Sequence, residues 1–442
     1  MRASFHTFGC KLNQFETEAL ASAFRSRGFP LVDPAEEAEV YLINTCTVTG
    51  KSEQKARRFI RRLARERPGA LLVVTGCYAQ LDPRALESLG PNVAVVSQGD
   101  KSLLLDLPRR LQEGSIAPFG ADALRRQGGQ PDPFGFQVER YSFHSRAFLK
   151  IQDGCDHRCA YCRVPLARGG SLSLEAATAV ERARALESAG YREVVLTGVN
   201  LSAWRNGVGT PQGEAGLGEL LGRLLAATTM VRLRLSSLEP ETLKPALVEA
   251  LRNPRICPHF HLPVQSGSDR VLLRMRRRYR AEQVRRAVGL LRTARQAPFL
   301  ATDLIAGFPG ETAEDFQDTY TLAESLGFAK LHVFPFSPRP GTAAAGMAGH
   351  VPERVRDERV RALTQLSDRL AQEYRRGWVG REVEVVLEKR RDPSGSPVWT
   401  GVSANYLPCA VRGVPEGPAG RMVRARIESD GDPCEAVFLA PA

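Results

Sequence analysis

Lys150-Ile151-Gln152-Asp153-Gly154-Cys155-Asp156-His157-Arg158-Cys159-Ala160-Tyr161-Cys162 sets three cysteines at C-x-x-x-C-x-x-C spacing, just after an apolar stretch that reads as the end of a strand. Three thiolates this close can grip one 4Fe–4S cluster. A cubane has four irons, so three cysteine ligands leave one iron open to a substrate or cofactor. Structural zinc wants four closed ligands in spaced pairs. His157 lies inside the loop, but no second C-x-x-C occurs in the chain. Cysteines are common in cores, yet three within one glycine-initiated loop are poorly explained by packing.

Downstream, apolar runs recur ahead of helical patterns at 194–198, 231–236, 259–264, 302–307 and 330–334. With the strand before Cys155 they make six βα units. That is an incomplete parallel barrel, a partial (β/α)6, with its site at the carboxyl ends of the strands. Upstream, residues 1–107 alternate short runs at 40–43, 71–74 and 93–96 with helical patterns, the rhythm of a doubly wound parallel sheet. Cys10, Cys46 and Cys77 each follow a predicted strand. The strand carboxyl ends of an open α/β sheet form its ligand crevice, so these three can meet there; three separate packing cysteines are the other reading. Residues 108–140, rich in Gly, Pro, Gln and charge, read as a linker, and 141–376 as the barrel domain. From 377 to 442 the texture changes to alternation, as at Val383, Val385 and Leu387, with Pro-Ser-Gly and Pro-Glu-Gly turns, which predicts a small β-barrel. The fold class is therefore α/β with a β-barrel appended.

The 442 residues are 43% hydrophobic, enough for ordinary cores, and no run of 18 apolar residues exists to span a membrane. No charged-then-apolar signal pattern opens the chain, and nine cysteines, an odd number, suit metal ligation in a reducing cytoplasm better than a disulfide framework. Cys257, Cys409 and Cys434 fit no ligand spacing and read as packing residues; His259 and His261 alternate on one strand and read as hydrogen-bonded. The net charge is +12, concentrated in two places. Residues 51–67 hold eight Lys/Arg against two Glu, and 270–295 hold ten Arg against Glu282 alone. Both segments also carry apolar residues at helical spacing. A solvated face usually mixes signs, so they predict helices with a basic face toward nucleic acid.

The cysteine loop resembles that of radical S-adenosylmethionine enzymes, with Tyr161 at the aromatic position of the motif. Nearly the whole chain resembles their methylthiotransferase branch. The segments that carry the likeness are Thr7-Phe8-Gly9-Cys10-Lys11-Leu12-Asn13, Asn44-Thr45-Cys46-Thr47-Val48-Thr49, Gly76-Cys77-Tyr78-Ala79-Gln80, Leu196-Thr197-Gly198-Val199-Asn200, His261-Leu262-Pro263-Val264-Gln265-Ser266-Gly267-Ser268, Gly307-Phe308-Pro309-Gly310-Glu311-Thr312 and Phe336-Ser337-Pro338-Arg339-Pro340-Gly341-Thr342. The resemblance implies two 4Fe–4S clusters, one on Cys155, Cys159 and Cys162 and one on Cys10, Cys46 and Cys77, with S-adenosyl-L-methionine as the further cofactor. It implies that Tyr161, Gly198 and Asn200 approach the cofactor's methionine end, that Gln265 and Ser266 follow the strand whose end meets its ribose, and that Gly307 lets backbone come close to the cofactor. It also implies tRNA as partner, a reducing donor such as flavodoxin or ferredoxin, and a sulfur donor.

Ala167-Arg168-Gly169, Thr47-Val48-Thr49 and Ser236-Ser237-Leu238-Glu239-Pro240 look most like the members acting on N6-threonylcarbamoyladenosine beside the anticodon. Leu172 departs, standing where that group has Arg. The alternatives are isopentenyladenosine, a ribosomal-protein aspartate, or a non-enzymatic iron–sulfur RNA-binding regulator. A threonylcarbamoyl carboxylate calls for a fixed cation, and Arg168 is the candidate, with a structural salt bridge as the other reading. The C-terminal segment resembles the RNA-holding TRAM domain, but residues 381–442 carry eight Lys/Arg and nine Asp/Glu. RNA contact is therefore expected from the basic helices, Arg274, Arg276, Arg277 and Arg278 included.

Overall fold

The computed structural model describes residues 1–114, 132–138, 140–205, 216–391 and 397–442. The expected linker lies partly outside these residues, as does the Pro-Ser-Gly turn. Its first residues belong to a helix, Leu107–Gln112, that buries Leu107 and Leu111.

Five parallel strands, β1 (Ala3–Thr7), β2 (Leu31–Val32), β3 (Val40–Thr45), β4 (Leu71–Gly76) and β5 (Val93–Val95), lie in the order β2-β1-β3-β4-β5. Every residue of β3 and β4 is buried, as continuous apolar runs require when helices cover both faces of a sheet. The order reverses between β1 and β3, and a doubly wound sheet opens its crevice at that switch point. Cys10 follows β1 and caps the helix Lys11–Ser26, Cys46 follows β3, and Cys77 follows β4. The helix Gly50–Glu66 starts at Thr49, whose side chain accepts from Ser52 N. It buries Ala56, Ile60 and Leu63 and leaves Lys51, Lys55, Arg58, Arg61, Arg62 and Arg65 exposed.

The central domain begins with β6 (Ala147–Lys150), followed by a small hairpin of β7 (Gln152–Asp153) and β8 (Leu172–Ser173). Parallel strands β9 (Glu193–Thr197), β10 (Arg232–Leu235), β11 (His259–Gln265), β12 (Phe299–Ala306) and β13 (Lys330–Pro335) complete it. They pair as β6-β9-β10 and β11-β12-β13, joined by bridges at Leu233–Ile256 and Ser237–His261. Six strands in chain order thus form one open, curved sheet with helices outside. The second basic segment is two helices, Asp269–Arg274 and Ala281–Ala294. Between them Met275, Arg277 and Tyr279 are buried and Arg276 adopts φ 59°, so the chain turns inward between the two helices and carries Arg277 off the expected basic outer face.

Strands β14 (Glu382–Arg391), β15 (Val398–Ser403), β16 (Pro408–Arg412), β17 (Met422–Ile427) and β18 (Cys434–Pro441) close a barrel in the order β14-β15-β16-β18-β17. Alternate residues Val383, Val385 and Leu387 fill its core with Trp399 and Val411. It docks on the amino-terminal end of the central sheet. Arg234 pairs with Glu193 at 2.6 Å and donates to Ser403 O at 2.9 Å, and Arg232 pairs with Glu193 at 2.8 Å. Among the described residues, no helix is long and apolar enough to cross a membrane.

Candidate active site

Gly154 adopts φ 67°, and a Cβ there would lie 1.8 Å from Gly170 O, so only glycine lets the cysteine loop fold back on the segment that follows it. The loop's three sulfurs each accept one N–H: Cys155 from His157 N at 3.4 Å, Cys159 from Arg277 Nη1 at 3.2 Å, and Cys162 from Val164 N at 3.4 Å. All three line one cavity of about 190 Å³. In the first domain Cys46 accepts from Val48 N at 3.5 Å and Cys77 from Arg168 Nε at 3.3 Å, while Cys10 is exposed. Gly9, at φ 102°, has no room for a side chain, since a Cβ would lie 2.6 Å from Cys46 Sγ. Burial pushes the Cys46 and Cys162 thiols up to about 12. Such thiols shed their protons to a bound metal. Sulfurs met by N–H donors, as at Cys46, Cys77, Cys155, Cys159 and Cys162, fit iron–sulfur clusters. Cys257, Cys409 and Cys434 are buried away from both groups.

Of the residues expected near a cofactor, Tyr161, Asn200 and Gln265 line the cavity. Asn200 Oδ1 is a buried acceptor without a partner among the described residues, so an added donor group would satisfy it. Gln265 holds φ 69°, a left-handed conformation rare outside glycine, at the end of β11. Gly198, Ser266 and Gly307 do not line it. A Cβ at Gly198 would meet Gln152 Oε1 at 2.9 Å, and one at Gly307 would meet Arg356 Cγ at 2.6 Å, so both glycines serve packing. Ser266 is fully buried, its Oγ 3.0 Å from Thr319 Oγ1. Missed by sequence reading were Ser237, Glu239 and Asp303, which also line the cavity. His261 hydrogen-bonds both Ser237 Oγ, at 2.8 Å, and Asp303 Oδ1, at 3.0 Å, and lies close to His332.

The basic residues sort differently from their sequence. Arg276 and Arg278 are exposed, whereas Arg274 is half-buried and donates to Pro309 O at 3.0 Å. Arg277 is buried, pairs with Glu239 and faces Cys159, so it cannot meet a phosphate. Arg168 is 2% exposed, and its guanidinium contacts Glu16, Asp153, Asn13 and Cys77. It is saturated, which excludes it as the contact for a substrate carboxylate. Glu16 also pairs with Lys101 at 2.6 Å and Lys150 at 2.9 Å, and Asp153 pairs with Lys150 at 2.6 Å. Burial would raise the Glu16 carboxyl, but Arg168, Lys101 and Lys150 together hold it well below the usual range.

A second cavity, about 170 Å³, adjoins the first and shares Tyr161, Gln265 and Asp303 with it. Its own lining includes Val48, Thr49, Ile305, Phe334 and Arg339. A slightly larger cavity, about 200 Å³, lies apart, between Phe15, Phe136, Tyr141 and Leu186, and is mostly apolar.

An open parallel (β/α)6 sheet, with a cysteine loop after its first strand and a second cysteine triplet in the preceding domain reached by Arg168, is the architecture of a radical S-adenosylmethionine enzyme with an additional cluster site. Residues 149–323 match the Radical SAM superfamily, and residues 2–98 match the family described as Uncharacterized protein family UPF0004. The threonylcarbamoyladenosine tRNA methylthiotransferase MtaB of Treponema pallidum is 40% identical, over 96% of this chain and 98% of its own. That of Bacillus subtilis is 36% identical, over 97% and 94%. The solved structure of the radical S-adenosylmethionine methyltransferase TsrM from Kitasatospora setae, with cobalamin and a 4Fe–4S cluster bound, has a TM-score of 0.53 at 16% identity, covering 78% of this chain and 74% of that one, which supports the fold. The chain belongs to the radical S-adenosylmethionine methylthiotransferase family, whose cofactors are 4Fe–4S clusters and S-adenosyl-L-methionine.

Proposed function

We propose that the protein converts N6-threonylcarbamoyladenosine beside the tRNA anticodon to its 2-methylthio derivative, in the cytoplasm, drawing electrons from a flavodoxin- or ferredoxin-type donor and sulfur from a separate donor. The relatives named for this activity span almost the entire chain. One observation carries the reading: Arg168, six residues beyond Cys162, reaches Cys77 Sγ at 3.3 Å, tying the two cysteine triplets together across the domain boundary.

Cys155, Cys159 and Cys162 would hold one cluster and Cys10, Cys46 and Cys77 the other. When bound, the cofactors would supply one-electron cleavage of S-adenosylmethionine and the methyl group carried by the donor's sulfur. The protein's share is placement and exclusion of water. Tyr161, Asn200 and Gln265 shape the cofactor cavity, while Glu16, Asp153, Lys101 and Lys150 fix Arg168 between the triplets. Tyr161, Gln265 and Asp303 line both cavities, so cofactor and substrate would meet across those side chains. The exposed face of Gly50–Glu66, with Arg276 and Arg278, offers charge to the tRNA backbone.

Nucleoside mass spectrometry of tRNA from cells with and without the gene tests this. Loss of 2-methylthio-N6-threonylcarbamoyladenosine, with its unthiolated precursor accumulating, is expected. Loss of the isopentenyl counterpart instead, or of a ribosomal-protein modification with tRNA unchanged, would overturn the assignment.

A further inference from the structure

With Arg168 committed to Glu16 and Asp153, the substrate's carboxylate needs another cation. The second cavity supplies one. Arg339 lines it, is buried, and follows β13 in the Ser337-Pro338-Arg339-Pro340 segment. It shares Glu53 with a second guanidinium: Arg339 Nη2 and Arg163 Nη1 both reach Glu53 Oε1, the latter at 3.1 Å. Thr47 Oγ1 donates to the same oxygen at 2.6 Å and accepts from Arg339 Nη2 at 3.0 Å and Arg163 Nη1 at 3.2 Å. Two guanidiniums thus converge on one carboxylate in a buried place, with Asp82 a further acid acting on Arg163. Arg339 Nε and Arg163 Nε are also buried donors without partners among the described residues. A buried guanidinium with an unmet donor is costly unless an acceptor arrives, and an anion is the acceptor that suits its charge.

The remaining walls suit the rest of such a substrate. Ile305 and Phe334 are register partners on β12 and β13, both half-buried, and form an apolar wall on which a purine can lie. Thr49 and Ser337 add hydroxyls beside Arg339. Asp303, the carboxylate that lines this cavity among the described residues, is occupied by His261 and does not neutralise Arg339. We infer that Arg339, held by Glu53 and seconded by Arg163, receives the carboxylate of the threonylcarbamoyl group and is the residue by which the site selects that nucleoside. The inference rests on the substrate assigned above.

The test uses the holoenzyme and two anticodon stem-loops of one sequence, bearing threonylcarbamoyladenosine or plain adenosine at the target position. Dissociation constants come from fluorescence anisotropy, and methylthio product is measured on the first loop. A charge-assisted hydrogen bond in a buried site makes the threonylcarbamoyl loop about tenfold or more tighter for the parent protein. Arg339→Gln should bring the two loops within about twofold of each other, with Arg339→Lys in between because it keeps the charge and loses the planar fork. Glu53→Gln removes the competing carboxylate and should widen the preference, a direction that a merely structural ion pair does not produce. It also carries the test if Arg339→Gln fails to fold. An unchanged preference in Arg339→Gln or Glu53→Gln, or equal weakening of both loops by Arg339→Gln as for a phosphate contact, overturns the inference while product formation by the parent keeps the substrate assignment. A parent enzyme that forms no product from the threonylcarbamoyl loop overturns that assignment and the inference with it.

Discussion

Replacing Arg168 with Gln should cost the protein its second cluster before its first. The guanidinium is 2% exposed and bonds Glu16 at 2.9 Å, Asp153 at 3.0 Å, Asn13 at 2.8 Å and Cys77 Sγ at 3.3 Å. Removing one partner of a buried ion pair costs about 3–5 kcal/mol. Lys101 and Lys150 stay on Glu16, and Lys150 stays on Asp153, so the lower end, about 3 kcal/mol, applies. At roughly 2–4 °C per kcal/mol, the first unfolding transition should fall by roughly 6–12 °C. Cys77 loses the side-chain donor that touches its sulfur among the described residues, and burial already pushes that thiol up, with Arg168 opposing. Anaerobically purified Arg168→Gln should therefore carry about half the parent's iron, as expected when one of two clusters is lost. It should still cleave S-adenosylmethionine without substrate, but deliver little methylthio group. Arg168→Lys keeps the charge and cannot span four partners, so it should fall between. Iron content and transition temperature both equal to the parent's, or full iron with only a raised KM for tRNA, would refute the reasoning.

Glu193→Gln should loosen the C-terminal barrel. Burial would raise the Glu193 carboxyl, but Arg234 and Arg232 outweigh it and hold the group well below the usual carboxylate range. A depressed folded value means the stabilisation is fully present above the unfolded value of 4.5 and is lost as pH falls through the lower folded one. The variant should thus be less stable at pH 7 by about 3 kcal/mol, with the gap to the parent closing below that value, as read by thermal denaturation and by protease cleavage ahead of β14. In a separate experiment, Arg58, Arg61 and Arg62 changed to Gln should each lower the log–log salt slope of tRNA binding by about one, as should Arg276 and Arg278. Arg277→Gln should leave that slope unchanged and disturb the Cys155 cluster instead, visible in its electron paramagnetic resonance spectrum.

The Cys155 loop and the six-stranded open sheet were legible because they are written locally: cysteine spacing in one loop, and apolar runs of strand length followed by helical patterns; Cys10, Cys46 and Cys77, far apart in sequence, were read together only from their places after three strands. Charge roles were not. Arg277 stands among Arg274, Arg276, Arg278 and Arg280 in sequence, and only the inward turn at 275–280 separates it from its exposed neighbours. The network around Glu16 joins residues 85 and 134 positions away, Lys101 and Lys150, pairings that no local pattern encodes. Gly198 was read as approaching the cofactor's methionine end and Gly307 as letting backbone come close to it; the side chains packed against these glycines are Gln152 and Arg356, which no local pattern encodes. Arg163 and Arg339 went unassigned, although Arg339 lies in a segment that carried the family likeness and Arg163 directly follows the cysteine loop. Their signal is Glu53, a lone acid in the first turn of a basic helix, buried where its neighbours Lys51 and Lys55 are exposed.

The central claim is that two cysteine triplets hold two clusters with separate tasks in one reaction space. Replacing Cys10, Cys46 and Cys77 together with Ala, then measuring iron, 5'-deoxyadenosine and methylthiolated nucleoside in the same reactions, tests it most directly. About half the parent's iron, continued formation of 5'-deoxyadenosine, and no methylthio product are expected. Normal methylthio product from this triple variant, or loss of 5'-deoxyadenosine while the Cys155 cluster is intact, would contradict it.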